Sequence, residues 1–311
     1  MDFVSLLGTF VAIADTGSIS KAARTVRLSV PMASRHLKAL EDQLSVRLVR
    51  RTTRRLDLTE AGNALLSRAR RILRDVEEAQ HAVRPGKSVG GRVVVSAPVS
   101  FGLEAVAPLV PKLLEAHPRL AIDLRFDDRP VDLIGEGVDL ALRTGLAPPD
   151  SPFVVARRLV QYERILCASP SFQKAHRLIR TTDALARVPC LLLGSASPQR
   201  WELTIDGAES SQSVLVEGRM QSNNVLALRH AALVGLGVAQ LPAWLVCADL
   251  KARRLVRVLP QATLPVVTVW GLVHADARDS FALRAVQDFL GIELPRVLAD
   301  VPRASTPRRR S

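Results

Sequence analysis

Basic side chains suited to contact with a polyanion cluster between residues 35 and 55 of the 311-residue chain. Within the stretch from residue 18 to residue 44, apolar residues recur at the spacing of a buried helix face: Ala33, Leu37, Leu40 and Leu44. Arg35 and Lys38 then fall on the opposite face, where their cationic groups can bind phosphate oxygens or base edges. The alternative is an ordinary amphipathic helix pair with a solvated charged face.

A second basic cluster follows directly and favours the nucleic-acid interpretation. It contains five arginines: Arg47, Arg50, Arg51, Arg54 and Arg55. Alternation of Leu56 and Leu58 around Asp57 predicts a strand that returns from a basic loop, which is the layout of a wing. Arginines in a wing can pair with phosphates or enter a minor groove, and the hydroxyls of Thr52 and Thr53 can fix register on a nucleic-acid backbone.

Two short helices joined by a tight turn are predicted to position these side chains. Ser18 is a suitable N-cap for a first helix that ends near Val26, and Ser29 for a second helix with Pro31 in its first turn. With the wing, this arrangement predicts a winged helix-turn-helix whose second helix enters a major groove. The predicted DNA-binding residues are Ser18, Val30, Pro31, Met32, Ser34, Arg35, Lys38, Arg51, Thr52, Thr53 and Arg54.

The stretch from Phe10 to about Gly62 resembles the N-terminal domain of LysR-type transcriptional regulators. The most specific matching pieces are Ser34-Arg35 with Leu40-Glu41, Arg51-Thr52-Thr53-Arg54, and Leu58-Thr59-Glu60-Ala61-Gly62. Val30 stands where the family often has Gln, and Val49 where it often has Phe. The methyl groups of Val30 can contact a thymine methyl in place of a polar base contact. The resemblance implies a regulator that binds an operator with spaced half-sites on double-stranded DNA.

Overall charge agrees with a polyanionic partner. The formal net charge is +13 and the sequence pI is about 10.9. An anionic membrane surface is the competing partner, but the basic cluster lies in a loop and not on one face of an amphipathic helix. No stretch reaches the roughly 18 continuous apolar residues of a membrane span. We therefore expect a cytoplasmic protein with no membrane partner.

The three cysteines and six histidines give no sign of a metal site or of catalysis. Cys167, Cys190 and Cys247 are widely spaced, lack CxxC pairing and fit buried reduced thiols. The sequence contains no nucleophile elbow, dinucleotide loop, HExxH motif or P-loop. We therefore expect no metal, no cofactor and no enzymatic activity.

A long helix over residues 59–83 is predicted to link two domains. Its apolar residues alternate spacings of four and three, as in a coiled-coil seam: Leu65, Ala69, Ile72, Val76, Ala79 and Val83. The seam predicts a homo-oligomer, either a dimer or a tetramer. The alternative is a helix packed on its own domain. Residues 84–91 are rich in Pro and Gly and predict a hinge after the DNA-binding domain (residues 1–58) and this helix.

Alternating strand and helix patterns over residues 92–294 predict an α/β domain with a largely parallel sheet. They include a short helix over 130–136, a strand over 138–142 and a last helix over 280–290. The pattern restarts after residue 162, which predicts lobe I (about 92–162 and 268–294) and lobe II (about 163–267). Residues 295–311, with the run Arg308, Arg309 and Arg310, are predicted to be a disordered basic tail without a role.

The resemblance to LysR-type regulators continues from Gly90 to about Leu290. Matching pieces include Asp139-Leu-Ala-Leu-Arg-Thr-Gly145 and Ala232-Leu-Val-Gly-Leu-Gly-Val238. In the family this half is similar to a periplasmic binding protein and holds an effector between its lobes. The overall class implied is therefore α/β, with a mostly α winged helix-turn-helix before a two-lobed effector-binding domain.

Three loops are predicted to hold the effector, because ligands of parallel sheets bind beyond the carboxyl ends of strands and near helix N-termini. The candidate residues are Ser100, Phe101, Arg143, Thr144, Asn223 and Asn224. Helix N-termini beside an arginine favour a small organic anion. In the alternative interpretation, the serine and asparagines only cap helices, and Arg143 pairs with a structural carboxylate.

Together these features predict a sequence-specific transcriptional regulator that a small molecule modulates, with RNA polymerase as a further candidate partner. The second hypothesis, from a different class, is a solute-binding module whose basic arm binds nucleic acid without reading sequence. The two differ in the ratio of specific to nonspecific affinity.

Overall fold

The computed structural model describes residues 2–51, 56–82, 89–176, 179–205, 210–277 and 280–299. Several predictions lie outside these ranges. They concern Thr52, Thr53, Arg54 and Val83, most of the hinge (84–88), and the tail beyond residue 299.

As far as its residues are described, the N-terminal domain consists of three helices and a two-stranded hairpin. Its elements are α1 (Phe3–Thr16), α2 (Ile19–Thr25), α3 (Val30–Leu44), β1 (Val49–Arg51) and β2 (Leu56–Leu58). The two predicted N-caps are confirmed, since Ser18 accepts a hydrogen bond from the backbone N–H of Lys21 at 3.4 Å and Ser29 accepts one from Met32 at 3.3 Å. Phe10, Ile13 and Leu40 are fully buried in the core. Leu44 was predicted to be buried too, but it lies in the last turn of α3 and is 38% exposed.

The linking helix α4 (Glu60–Ala82) begins after Thr59, whose hydroxyl accepts from the Gly62 N–H at 3.0 Å. A side chain at Gly62 would meet the Leu48 carbonyl oxygen at 2.1 Å, so only glycine allows the helix to approach the hairpin this closely.

The predicted seam along α4 is wrong at Ala69. This residue is 0% exposed in the core of the N-terminal domain and leaves no surface for a partner, and Leu65 packs half-buried against the same core. The alternative of a helix packed on its own domain therefore holds for this part of α4. Ile72 and Ala79 are exposed and Val76 is half-buried.

In its described residues, the second domain contains thirteen strands. They are β3 (Gly90–Ala97), β4 (Arg119–Phe126), β5 (Leu140–Gly145), β6 (Val154–Tyr162), β7 (Arg164–Ala168), β8 (Cys190–Leu193), β9 (Gln199–Ile205), β10 (Gln212–Val216), β11 (Met220–Ser222), β12 (Val238–Pro242), β13 (Val256–Arg257), β14 (Ala262–Thr263) and β15 (Val267–His274).

The helices of this domain pack on the faces of its sheets. They are α5 (Val99–Phe101), a π segment (Gly102–Val106), a 3₁₀ turn (Ala107–Leu109), α6 (Val110–Ala116), α7 (Pro170–Ala175), α8 (Thr182–Ala186), α9 (Val225–Leu233), α10 (Ala243–Lys251), a second 3₁₀ turn (Ala275–Ala277) and α11 (Phe281–Ala299).

Two five-stranded sheets form the two lobes. Lobe I has the strand order β4-β3-β5-β15-β6, and lobe II has the order β11-β8-β12-β7-β13. Both sheets are mixed, which corrects the expectation of largely parallel sheets. β15 runs antiparallel to β5 and β6, and β7 runs antiparallel to β12. The reason is topological, because β6 leads out of lobe I directly into β7 and β15 returns from lobe II.

Three local predictions are corrected. The segment predicted as a helix over 130–136 forms hydrogen-bonded turns, with bonds from Gly137 N–H to the Ile134 carbonyl and from Val138 N–H to the Leu133 carbonyl. The following strand starts at Leu140 and extends to Gly145, so Arg143 and Thr144 belong to β5. Helix α11 passes through Pro295 to Ala299, which corrects the predicted tail boundary, because Leu294 and Leu298 are buried in the core of lobe I.

Candidate nucleic-acid interface and effector cleft

The outward face of α3 presents the predicted reading residues to solvent. Val30, Pro31, Arg35 and Lys38 are exposed, and Met32 and Ser34 are half-buried beside them. Within the described part of the chain, neither Arg35 nor Lys38 has a hydrogen-bond or ion-pair partner. Both cations are therefore available for phosphate oxygens or base edges. Ser18 is half-buried and its hydroxyl caps α2.

A buried histidine that sequence reasoning missed helps to fix α3 against α1. The Nδ1 atom of His36 lies 2.8 Å from the Thr9 hydroxyl, and both side chains are buried. This pair, together with Ala33 and Leu37, anchors the inward face of α3. A single histidine on a helix carries no sequence signal for such a partner 27 residues away.

The base of the wing is held by Glu41, which belongs to one of the matching sequence pieces but whose role the sequence did not predict. Its carboxylate is buried, and it accepts hydrogen bonds from the backbone N–H groups of Leu48 at 2.8 Å and Val49 at 3.2 Å. It also pairs with the Arg47 guanidinium at 2.9 Å. Arg47, one of the predicted cationic cluster, thus has a partner inside the domain. The hairpin register runs from Val49 opposite Leu58 to Arg51 opposite Leu56.

Two predicted effector residues come from different lobes and contact each other. Ser100, at the start of the helical segment after β3, is buried and donates from its hydroxyl to the side-chain oxygen of Asn224 at 2.8 Å. The same oxygen caps α9 by accepting from the Leu226 N–H at 2.9 Å. The cap predicted as the alternative role of Asn224 is therefore present, and it coexists with a contact across the cleft.

The remaining predicted cleft residues differ in what they offer. Thr144 and Asn223 are exposed. Phe101 is 3% exposed and packs edge-on against Trp244 with ring centroids 5.9 Å apart, so its ring belongs to the core and is not available to a ligand. This corrects Phe101 as a contact residue.

Arg143 is a half-buried cation whose hydrogen-bond partners are all neutral. It donates to the Leu142 carbonyl at 2.7 Å, the Ser96 hydroxyl at 3.1 Å and the Arg129 carbonyl at 3.2 Å, while its Nε has no partner among the described residues. Burial lowers the pKa of the Arg143 guanidinium from its usual value. The predicted alternative, pairing with a structural carboxylate, is not found in the described part of the chain.

Sequence reasoning missed an aromatic contact that joins the lobes. Trp244 lies at the start of α10 in lobe II but packs against the lobe I residues Phe101 and Tyr162, the latter with ring centroids 6.1 Å apart. Burial raises the pKa of the Tyr162 phenol to about 12, and its hydroxyl contacts the Thr144 side chain. The sequence did not predict the helix α10, and it therefore gave Trp244 no predicted position or contact.

A cavity of about 920 Å³ lies apart from this cleft, between α4 and the second domain. Arg68, Ile72 and Ala79 line one side of it, and Phe153 and Phe281 line the other.

In the described ranges, no three His, Cys, Asp or Glu side chains are grouped so that they could hold a metal ion. No helix among the same residues has the length and hydropathy to cross a membrane. All three cysteines are buried, as predicted, and none forms a disulfide within the described residues.

The N-terminal domain is a winged helix-turn-helix whose recognition helix α3 has an exposed cationic face. A linking helix and a two-lobed α/β domain follow it. This combination defines a DNA-binding regulator that responds to a small molecule. The chain belongs to the LysR family of transcriptional regulators. Residues 4–63 match the model of the bacterial regulatory helix-turn-helix protein, lysR family, and residues 86–294 match the model of the LysR substrate binding domain.

Curated relatives cover most of the chain. An uncharacterized HTH-type transcriptional regulator of Haemophilus influenzae is 33% identical over 263 residues, which cover 84% of this chain and 90% of the relative. The HTH-type transcriptional regulator DmlR of Escherichia coli is 31% identical over 285 residues, covering 91% and 92%. These similarities support the family assignment across both domains.

Solved structures of the family share the same fold. CrgA, a LysR-type transcriptional regulator from Neisseria meningitidis, is 29% identical with a TM-score of 0.59, and the match covers 93% of this chain and 98% of CrgA. The virulence activator AphB of Vibrio cholerae is 25% identical with a TM-score of 0.57 and the same coverage. Full-length OxyR from Pseudomonas aeruginosa has a TM-score of 0.68 at 18% identity, which shows the fold alone.

Proposed function

We propose that the effector of this regulator is a small organic anion that binds between the lobes at Ser100, Arg143, Thr144, Asn223 and Asn224. The observation that carries the proposal is Arg143. Its half-buried guanidinium has an unpartnered Nε and only neutral acceptors within the described residues. An anion would supply the missing acceptor for Nε and would add to the weaker electrostatic effect of the nearby carboxylates of Asp127, Asp128 and Glu136. It would also replace the contact between Ser100 and Asn224 with contacts from both lobes.

Calorimetric titration of the full-length protein with small carboxylates and their neutral amides tests this proposal. Only the carboxylates are expected to bind. Arg143→Gln is expected to weaken their binding by about 10- to 100-fold, which corresponds to loss of a charge-assisted hydrogen bond. Arg158→Gln is the matched control, because Arg158 is an exposed arginine on β6. Binding of neutral or cationic compounds alone would contradict an anionic effector.

For DNA recognition we propose that Ser34, Arg35 and Lys38 divide between base edges and phosphates, and that Val30, Pro31 and Met32 contact bases at the N-terminal end of α3. Arg51, Thr52, Thr53 and Arg54 would contact the backbone from the wing, and Ser18 would support them from the start of α2. The exposure of Val30, Pro31, Arg35 and Lys38 on α3 supports this assignment. Wing contacts would set affinity and salt dependence more than sequence preference.

We further propose that the protein acts as a homo-oligomer on spaced half-sites. Among the described seam positions, Ile72, Val76 and Ala79 remain open for self-association, and Val83 lies outside the described residues. The effector would act by changing the relative placement of the DNA-binding arms. RNA polymerase is a candidate partner for an activator of this design. The proposed location is the cytoplasm, where the DNA target lies, and we propose no catalytic activity.

A further inference from the structure

Three consecutive residues of α4 contact three different parts of the chain. Ala69 is buried in the core of the DNA-binding domain. Arg70 pairs with Asp15, which lies near the end of α1. A guanidinium nitrogen of Arg71 lies 3.4 Å from the Nδ1 of His274 on β15 of lobe I. This turn of α4 is therefore one place where the DNA-binding domain meets the effector domain.

Arg70 contacts both domains at once. Its guanidinium pairs with the Asp15 carboxylate on one side. On the other side, its aliphatic chain lies against Gly137 of the effector domain, since a Cβ at Gly137 would be 3.5 Å from the Cδ of Arg70. Gly137 has a positive φ of 63°, which is the conformation that glycine adopts most easily.

The turn that carries Gly137 is firmly attached to lobe I. Its flanking residues Leu133 and Val138 are buried in one cluster with Val94 of β3 and Ala141 of β5. The Glu136 carbonyl accepts from the Arg125 guanidinium at 2.7 Å. Strand β5 starts two residues after this turn has closed and carries Arg143 and Thr144 at its far end. A shift of β5 at the cleft would therefore move Gly137 and the turn around it, which contact the side chain of Arg70.

We propose that Arg70 is a positioning residue that sets how the effector domain sits on the DNA-binding domain. Its contact with Asp15 is partly exposed, and ion pairs of this kind are weak. A weak pair can open and close as the domains shift, whereas the buried Ala69 beside it keeps α4 fixed to the DNA-binding domain. Through Arg70, a movement of lobe I thereby changes the contact with α1, which packs against the recognition helix α3.

Hydrogen exchange of the full-length protein tests the proposal without any effector. Exchange is measured over residues 132–138, with and without a DNA duplex that the protein itself has selected from a random library. In the wild type, DNA is expected to change the amide exchange rate of this turn by about 3-fold. A change of this size matches the small free energy of a partly exposed ion pair such as that between Arg70 and Asp15. Arg70→Ala and Asp15→Asn are each expected to abolish the change, and Arg70→Lys is expected to restore most of it.

Arg68→Ala is the matched control, because Arg68 is an exposed arginine on the same helix that has neither Asp15 nor Gly137 as a partner. It is expected to behave as the wild type. The proposal is overturned if DNA leaves the turn unchanged in the wild type, or if Arg70→Ala still transmits the change. Loss of DNA binding by Arg70→Ala would equally overturn it, since Arg70 would then maintain the DNA-binding domain itself.

Discussion

Glu41 shows how one buried carboxylate can position the hairpin of the wing relative to α3. Its carboxylate holds two backbone N–H groups at the base of the wing and the Arg47 guanidinium. The wing itself is short, with three residues in each strand, so these bonds contribute much of what fixes its direction relative to α3. The direction of the hairpin strands relative to α3 thus depends on a buried acidic residue.

Replacement of Glu41 tests this role at the scale of one residue. Glu41→Ala leaves the N–H groups of Leu48 and Val49 without their acceptor, so a loss of about 1–3 kcal/mol in the free energy of unfolding is expected. DNA affinity should fall as well. Urea unfolding and DNA titration measure the two effects. Asp42→Ala is the control on the same helix, because Asp42 is exposed. Equal stability of the two variants would show that Glu41 does not hold the wing.

At the scale of single residues, the sequence predicted which residues cap the helices better than it predicted which distant side chains bond to each other. The caps Ser18 and Ser29 followed from local spacing, because a cap bonds to a backbone group three residues away. The pairs of His36 with Thr9 and of Ser100 with Asn224 join residues 27 and 124 positions apart. Such pairs depend on tertiary packing, which local patterns do not contain.

At the scale of elements, a buried acid joins two helices of lobe II. Asp249 near the end of α10 is 0% exposed, and its carboxylate accepts from Arg229 of α9 at 2.6 Å and from Arg254 at 2.6 Å. Burial acts to raise the pKa of Asp249, but the hydrogen bonds and charges of the two arginines outweigh it, and the pKa lies below its usual value. The pairs therefore favour the charged carboxylate in the folded state.

This pKa shift predicts a dependence of stability on acid. A carboxyl group whose pKa is lower in the folded state contributes stability above its unfolded pKa, near 3.9, and loses it as the pH falls through the folded value. The wild type is expected to be more stable than Asp249→Asn at pH 5 to 7, with the difference shrinking below about pH 4. Thermal unfolding across this range measures the difference. Asp183→Asn, at an exposed aspartate, is the control. A constant difference down to pH 2 would contradict the assignment.

Elements near the N-terminus were easier to predict than those that cross between lobes. The helices and turn of the DNA-binding domain follow one another locally. The sequence assigns residues 268–294 to lobe I, but it does not predict that β15 enters the sheet between β5 and β6. This pairing joins β15 to strands that end more than 100 residues earlier in the chain. Helix α11 continues through Pro295 because burial of Leu294 and Leu298 compensates for the proline.

At the scale of the whole molecule, the two functional regions are joined by α4. Its first half is part of the DNA-binding core, and its second half faces the effector domain across the cavity near Ile72 and Phe281. The cleft between the lobes is bridged by the bond from Ser100 to Asn224 and by the packing of Trp244. Packed elements connect these contacts to the recognition helix α3, through β3 of lobe I, α4 and α1. A ligand that separates or tightens the contacts at the cleft therefore acts on elements that are in contact with one another as far as α3.

The most direct test of the account is the ratio of specific to nonspecific DNA affinity. The full-length protein is titrated with DNA flanking its own gene, with a duplex selected from a random library, and with random DNA of equal length, at two salt concentrations. The account predicts a preference of about 10³-fold or more for the selected duplex, and Arg35→Ala should reduce that preference more than it weakens binding to random DNA. Parallel, steeply salt-dependent curves with no preference would contradict it and favour a nonspecific basic arm.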